Sequence, residues 1–302
     1  MPLRSRVPPR AEEGRSAHAR RSNEGAEEVR TEAGTQGSAV HQEVDEITSP
    51  PGGEVRVAPV GGSKLPLTAR RLDWPDCRNA RDLGGLPVPG GVTRTRMLVR
   101  SDNIANLTAA GHEAMIAYGV STVIDLRSPS EVMGSRSPFI TRGGLTHVHV
   151  PLVDDSMLLK LGEASGMFER YLLMLEHRQQ AFSGIFNTVA AAEGGVLFHC
   201  FAGKDRTGLV AAMMLSLAGV EVEAIAGDYA ETDTQLAARY QEWLAAAPPD
   251  RREEMRRELH CPPERVLAIL DHLRQRWGGV ETYLEMAGVS AGNLSRLGTR
   301  LT

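Results

Sequence analysis

Cysteine is scarce in this 302-residue chain: Cys77, Cys200 and Cys261 are the full set. Three scattered thiols make no disulfide framework, so the expected setting is reducing and cytoplasmic. Long apolar runs are missing too. No stretch approaches the ~20 residues of a membrane helix, which argues against an integral membrane segment. Met1-Pro2-Leu3-Arg4-Ser5-Arg6 leads into charge and not into an apolar core, so no secretory signal is read there. A large excess of positive charge is lacking as well. The net charge is -4 and the pI near 6.2, which argues against a nucleic-acid binder driven by global charge. Lysine is almost absent: of 34 Lys and Arg residues only Lys64, Lys160 and Lys204 are lysine. Lys204 therefore stands out.

Hydrophobic residues make up 41% of the chain, enough for a sizeable core. They are unevenly spread. Residues 1–65 are rich in Arg, Glu, Gly, Ser and Pro, nearly free of aromatics and without period, and read as a disordered N-terminal tail. Residues 66–302 read as one catalytic domain. Within it, Met97–Ser101, Thr122–Leu126, Thr146–Pro151 and Val196–Cys200 have the pattern of strands. Thr108 caps a helix running to Tyr118, with Gly119 as its stop. Residues 152–166 read as loop. Helical patterns cover 167–175, 180–192, 206–218, 222–246, 250–259, 263–276, 280–287 and 291–298. Strands separated by helices predict an α/β sandwich, its central sheet mostly parallel and flanked by helices, with a helical C-terminal section.

The densest chemistry lies in His199-Cys200-Phe201-Ala202-Gly203-Lys204-Asp205-Arg206-Thr207-Gly208. An apolar strand leads in and a helix leads out. A thiolate is a nucleophile where a thiol is not, and a helix N-terminus beside cations lowers a thiol pKa from ~8.5 towards ~3.5–7.5. Backbone amides of a glycine-containing turn form an anion-binding nest. Arg206 has the fork that holds phosphoryl oxygens bidentately. Cys200 is thus the candidate nucleophile and Arg206 the candidate phosphoryl ligand. Phe201, Ala202, Gly203, Lys204, Asp205 and Thr207 are the substrate-binding shell, and Thr207 is expected to bond the cysteine sulfur. His199 is expected to position the loop and tune the thiolate.

Other readings of these residues fail on position. A nucleotide-binding P-loop needs glycine at 198 and a hydroxyl residue after the lysine, where this chain has Phe198 and Asp205. Adjacent His199-Cys200 and His260-Cys261 pairs lack structural-zinc spacing. A cysteine protease gives no reason for Arg206.

With its His-Cys, five residues, Arg signature the chain resembles the cysteine-based tyrosine phosphatase superfamily, in the MptpB-like bacterial branch. Asn79-Ala80-Arg81-Asp82-Leu83-Gly84-Gly85, Val99-Arg100-Ser101, Ile124-Asp125-Leu126-Arg127-Ser128 with Glu131, and Ala287-Gly288-Val289-Ser290 carry the same likeness, which spans about 72–300. Ala80 departs from it, at a position that is often aromatic. The resemblance implies a phosphomonoester hydrolase acting on phosphotyrosine protein, through a phosphocysteine and without metal or other cofactor. It also implies Asp154 as general acid, with Asp205 second. Asn79, Arg81 and Asp125 are expected to brace the site floor. Asp228 and Tyr229 read as satisfied helix contacts, and residues 157–174 as part of a lid. Lys204 beside Gly203 raises phosphoinositides as an alternative substrate, unless it pairs with a nearby acid. A non-catalytic phosphate reader is the further alternative.

Overall fold

The structure, a computed structural model, describes residues 70–136 and 144–302. The expected N-terminal tail lies outside the described residues. Among the described residues there are seven strands: β1 (Arg81–Asp82), β2 (Pro87–Val88), β3 (Gly91–Val92), β4 (Leu98–Ser101), β5 (Val120–Asp125), β6 (Thr146–His149) and β7 (Gly195–His199). The main sheet has the order β1-β4-β7-β5-β6; β1 runs antiparallel to β4 and every other pair is parallel. β2 and β3 form a separate hairpin.

The helices are α1 (Ala109–Tyr118), α2 (Pro129–Gly134), α3 (Asp155–Glu163), α4 (Met167–His177), α5 (Gln179–Ala191), α6 (Asp205–Leu217), α7 (Val222–Ala246), α8 (Arg252–Leu259), α9 (Pro263–Trp277), α10 (Val280–Met286) and α11 (Ala291–Arg300). Successive strand residues point to opposite faces, and the central strands are apolar on both. Leu98, Ile124, Val196 and Phe198 join the larger core with α5, α6 and the C-terminal helices. Val99, Val123 and Leu197 join a smaller core with Trp74, Ile104 and Met115 of α1. The expected α/β sandwich and helical C-terminal section are what the chain forms. No helix among the described residues is long and apolar enough to cross a membrane.

Two elements differ from the sequence reading. The stretch read as loop holds α3, started by Asp154 as its N-cap. Ser128 opens the short helix α2 with a capping box, in which its hydroxyl accepts from the Glu131 amide and its own amide donates to the Glu131 side chain.

Parallel pairing brings the strand ends level. In register, His199 of β7 pairs with Ser101 of β4 on one side and Asp125 of β5 on the other. The loop after β7 therefore leaves from the carboxyl edge of the sheet centre, where open α/β sheets place their ligands.

Candidate active site

Cys200 follows β7 directly and is 2% exposed. α6 begins five residues later, at Asp205, so the thiol and the helix N-terminus share one turn. Gly203 makes that turn possible. Its φ is +66°, and a Cβ there would lie 2.5 Å from the Ser101 carbonyl oxygen. Only glycine takes that conformation against that wall without strain.

Every carbonyl in the loop is tied back to the protein. His199 Nδ1 lies 3.2 Å from Cys200 O, a contact that needs the Nδ1–H tautomer because a carbonyl only accepts. The Asn103 amide donates to Phe201 O at 3.0 Å. Asn79 Nδ2 donates to Ala202 O at 2.9 Å and to Gly203 O at 3.2 Å. Arg100 Nη2 donates to Gly203 O at 2.8 Å. The described peptides are all trans. In a trans planar peptide the carbonyl and the next amide point opposite ways, so tying the carbonyls of 200–203 turns out the amides of Phe201, Ala202, Gly203 and Lys204. Among the described residues none of those four amides donates a hydrogen bond within the protein. The first-turn amides of α6 add to them. The result is an anion nest beside the Cys200 thiol.

Arg206 borders this nest. Its two Nη atoms bind the Glu131 carboxylate at 2.5 and 2.7 Å. Burial opposes the charge on Arg206, but the Glu131 bonds and the neighbouring Cys200 and Asp205 raise its pKa. Glu131 is held below its ordinary range, since burial is outweighed by Arg206. A guanidinium has five N–H groups and Glu131 takes two, so the pair fixes the plane of Arg206 and leaves donors over.

The supporting residues come together as a floor. Asp125 accepts from the Arg127 amide at 3.0 Å and from its Nη2 at 2.6 Å. Burial opposes ionisation of Asp125, yet the Arg127 bonds bring its carboxyl down to about 2. His199 is buried outright, which pulls its imidazole down to about 4 despite Asp125 at 3.8 Å. It is therefore neutral at pH 7 and steadies the loop without lending it positive charge, a narrower role than the expected tuning of the thiolate. Arg81 donates to Asn79 Oδ1 at 2.5 Å, which turns the Asn79 Nδ2 towards the loop.

The side chains of several expected site residues are engaged with other partners. Asp154 accepts from the Met157 amide at 2.8 Å as the cap of α3, and pairs with Arg178 at 2.5 Å. Hydrogen bonds from Ser156 and Met157, with Arg178 beside them, hold its pKa below the usual value. Both of its carboxylate oxygens are engaged in this arrangement, Oδ1 by Ser156 and Met157 and Oδ2 by Arg178. Lys204 donates to Asp205 at 2.9 Å and to the Glu258 carbonyl at 2.8 Å, so it pairs with an acid and does not face the nest alone. Asp205 also accepts from the Tyr171 hydroxyl at 2.6 Å; burial is outweighed by Lys204 and its pKa is lowered. Thr207 is buried, and its Oγ1 has no hydrogen-bond partner among the described residues. Phe201 is half exposed and stacks on Trp243 at 6.2 Å.

Two hollows flank the loop. One of about 180 Å³ lies against Phe201 and Ala202, with Arg78, Asp102, Arg239 and Trp243. The other, about 410 Å³, runs from Lys204, Asp205 and Arg206 to the apolar side chains of Leu158 and Leu161 on α3, Met167 on α4 and Met255 on α8. Residues 157–174, expected to form a lid, thus supply one wall of it. Sequence reasoning missed the roles of Arg100, Glu131 and Tyr171. Glu131 had a signal, the Ser128-x-x-Glu131 capping box; the others are contacts between distant segments.

The sequence model of a family described as "Tyrosine phosphatase family" matches residues 72–302. A tyrosine-protein phosphatase of Nostoc commune is 31% identical over 221 residues, 67% of this chain and 73% of that one. A provisionally named tyrosine-protein phosphatase of Cupriavidus necator is 34% identical over 229 residues, covering 69% and 81%. The triple specificity protein phosphatase PtpB of Mycobacterium tuberculosis is 27% identical over 281 residues, 74% of this chain and 96% of that one.

Proposed function

Because the chain belongs to the tyrosine phosphatase family and is a protein-tyrosine phosphatase, we propose that it hydrolyses phosphotyrosine in proteins through a phosphocysteine intermediate, without a metal ion. The observation that carries this reading is the set of four undonated loop amides around a buried thiol, with Arg206 fixed beside them.

The Cys200 thiolate attacks phosphorus and forms the S–P bond as the P–O bond to the tyrosine breaks. The loop amides and Arg206 hold the equatorial oxygens, where charge gathers in the transition state. With Asp154 engaged as the α3 cap and by Arg178, and Asp205 by Lys204 and Tyr171, the departing phenolate takes its proton from water. Water then attacks phosphorus, gives up a proton, and breaks the S–P bond to return thiolate and inorganic phosphate. Thr207, whose buried hydroxyl has no partner among the described residues, bonds the departing sulfur in this second step.

Cys200→Ser tests the reading. It should abolish hydrolysis of an aryl phosphate while vanadate still binds. Normal turnover in that variant refutes the mechanism, and a wild-type chain that binds phosphate without hydrolysis makes the pocket a phosphate reader.

The hollow of about 410 Å³ favours a second reading. It joins Lys204 and Arg206 to an apolar wall, which suits a phosphate attached to a lipid. The Mycobacterium tuberculosis relative is named as having triple specificity. Turnover of a phosphotyrosine peptide and of a phosphoinositide on one preparation ranks the two substrates.

A further inference from the structure

The turned-out amides depend on two brackets, Asn79 and Arg100, and both brackets depend on one carboxylate. Asp228, in the second turn of α7, is 1% exposed. Its Oδ2 accepts from Arg100 Nη1 at 2.7 Å, and the other Nη of Arg100 reaches Gly203 O. Its Oδ1 accepts from Arg81 Nε at 3.1 Å, and its carbonyl accepts from Arg81 Nη2 at 2.7 Å. Arg81 in turn occupies Asn79 Oδ1, which leaves Asn79 Nδ2 for the carbonyls of Ala202 and Gly203. Arg70 also binds Asp228 Oδ1, at 2.8 Å, but makes no contact with the loop.

The charges require this hub. Arg81 and Arg100 are both buried, and burial together with the neighbouring Arg100 lowers Arg81 to about 10. Burial would raise the Asp228 pKa, yet Arg81, Arg100 and Arg70 hold it far below the carboxylate range. Without the anion the two guanidiniums repel, and breaking a buried pair leaves an uncompensated charge. The bracket on each loop carbonyl then loses its anchor.

On the phosphatase reading above, the structure assigns Asp228 as a positioning residue: acting through Arg100 and through Arg81–Asn79, it sets the direction of the loop amides that hold the phosphoryl group. It touches no substrate.

The test uses the full chain. Wild type, Asp228→Asn, Asn79→Ala and the double variant are compared for kcat and KM on an aryl phosphate, for vanadate inhibition, and for thermal unfolding. Asp228→Asn should lose on the order of 10- to 100-fold in kcat/KM and a parallel amount in vanadate affinity. The double variant should lose less than the product of the single losses, because both changes act on the same carbonyls. If Asp228→Asn does not fold, Arg70→Met with Asp228→Asn removes one buried charge of each sign and leaves Glu231, otherwise bound by Arg70 at 2.7 Å, to Arg81 at 3.8 Å; Arg70→Met alone is its reference, expected to lose distinctly less vanadate affinity than the double variant.

A folded Asp228 variant with unchanged vanadate affinity overturns the assignment, even if it melts earlier. Losses that multiply in full also overturn it. So does failure of both Asp228 variants to fold, since the residue is then structural only. The phosphatase reading fails in a different way: the wild-type chain would not turn over aryl phosphate at all.

Discussion

His199 shows how a side chain's surroundings decide what it does. Its position before Cys200 invites a catalytic role, but full burial holds it at about 4. An unfolded imidazole titrates near 6.5, so the folded state binds the proton less well. The stability that depends on neutral His199 is complete above about 6.5 and is lost as pH falls from there to about 4, on the order of 3 kcal/mol. Asp125, brought down to about 2, adds a further loss below about pH 4. Urea unfolding at pH 7 and pH 4.5 checks this: His199→Gln should be distinctly less pH-sensitive than wild type over that window, and an equal slope contradicts the assignment. Gly203 gives a second expectation. Gly203→Ala meets the Ser101 carbonyl at 2.5 Å in a left-handed conformation, so unfolding should be easier by about 1–3 kcal/mol and vanadate binding weaker. Wild-type vanadate affinity in that variant would mean that the loop does not need this turn.

At the scale of elements, the strand–loop–helix unit was readable because its signals are contiguous. An apolar strand, a thiol, two glycines and a helical pattern follow one another without a break within residues 195–217. Thr108 and Gly119 marked α1 for the same reason, one supplying the cap and the other the left-handed stop. α3 was missed although it has an apolar face: its nine residues contain Gly162 and lie next to Gly166, and glycine argues against a helix. Asp154 is its N-cap. An asparagine caps as well as an aspartate, whereas an alanine does not. Asp154→Asn should therefore hold stability within a few tenths of a kcal/mol, and Asp154→Ala should lose about 1 kcal/mol. Rates across aryl phosphates of graded leaving group should keep the wild-type slope in Asp154→Asn. A steeper slope, with poor leaving groups slowed most, would return the general acid to Asp154.

Over the whole molecule, the fold class was legible and the wiring of the site was not. Cys200 and Arg206 stand six positions apart in one motif, while Arg206 finds Glu131 across 75 positions and Arg100 finds Asp228 across 128. Periodicity reports which face of an element is buried; it does not report which arginine meets which carboxylate. Buried charge makes that pairing matter, because each ion in the interior must find its partner. The consequence is a loop whose carbonyls are all held from behind and whose amides face outward around one thiol. The central claim is that this thiol carries the phosphoryl group. Rapid acid quench of the enzyme during aryl phosphate turnover, followed by mass analysis of the peptide containing Cys200, tests it most directly. A phosphoryl group on Cys200, absent in Cys200→Ser, is the result expected; steady turnover with no phosphorylated Cys200 at any quench time would contradict it.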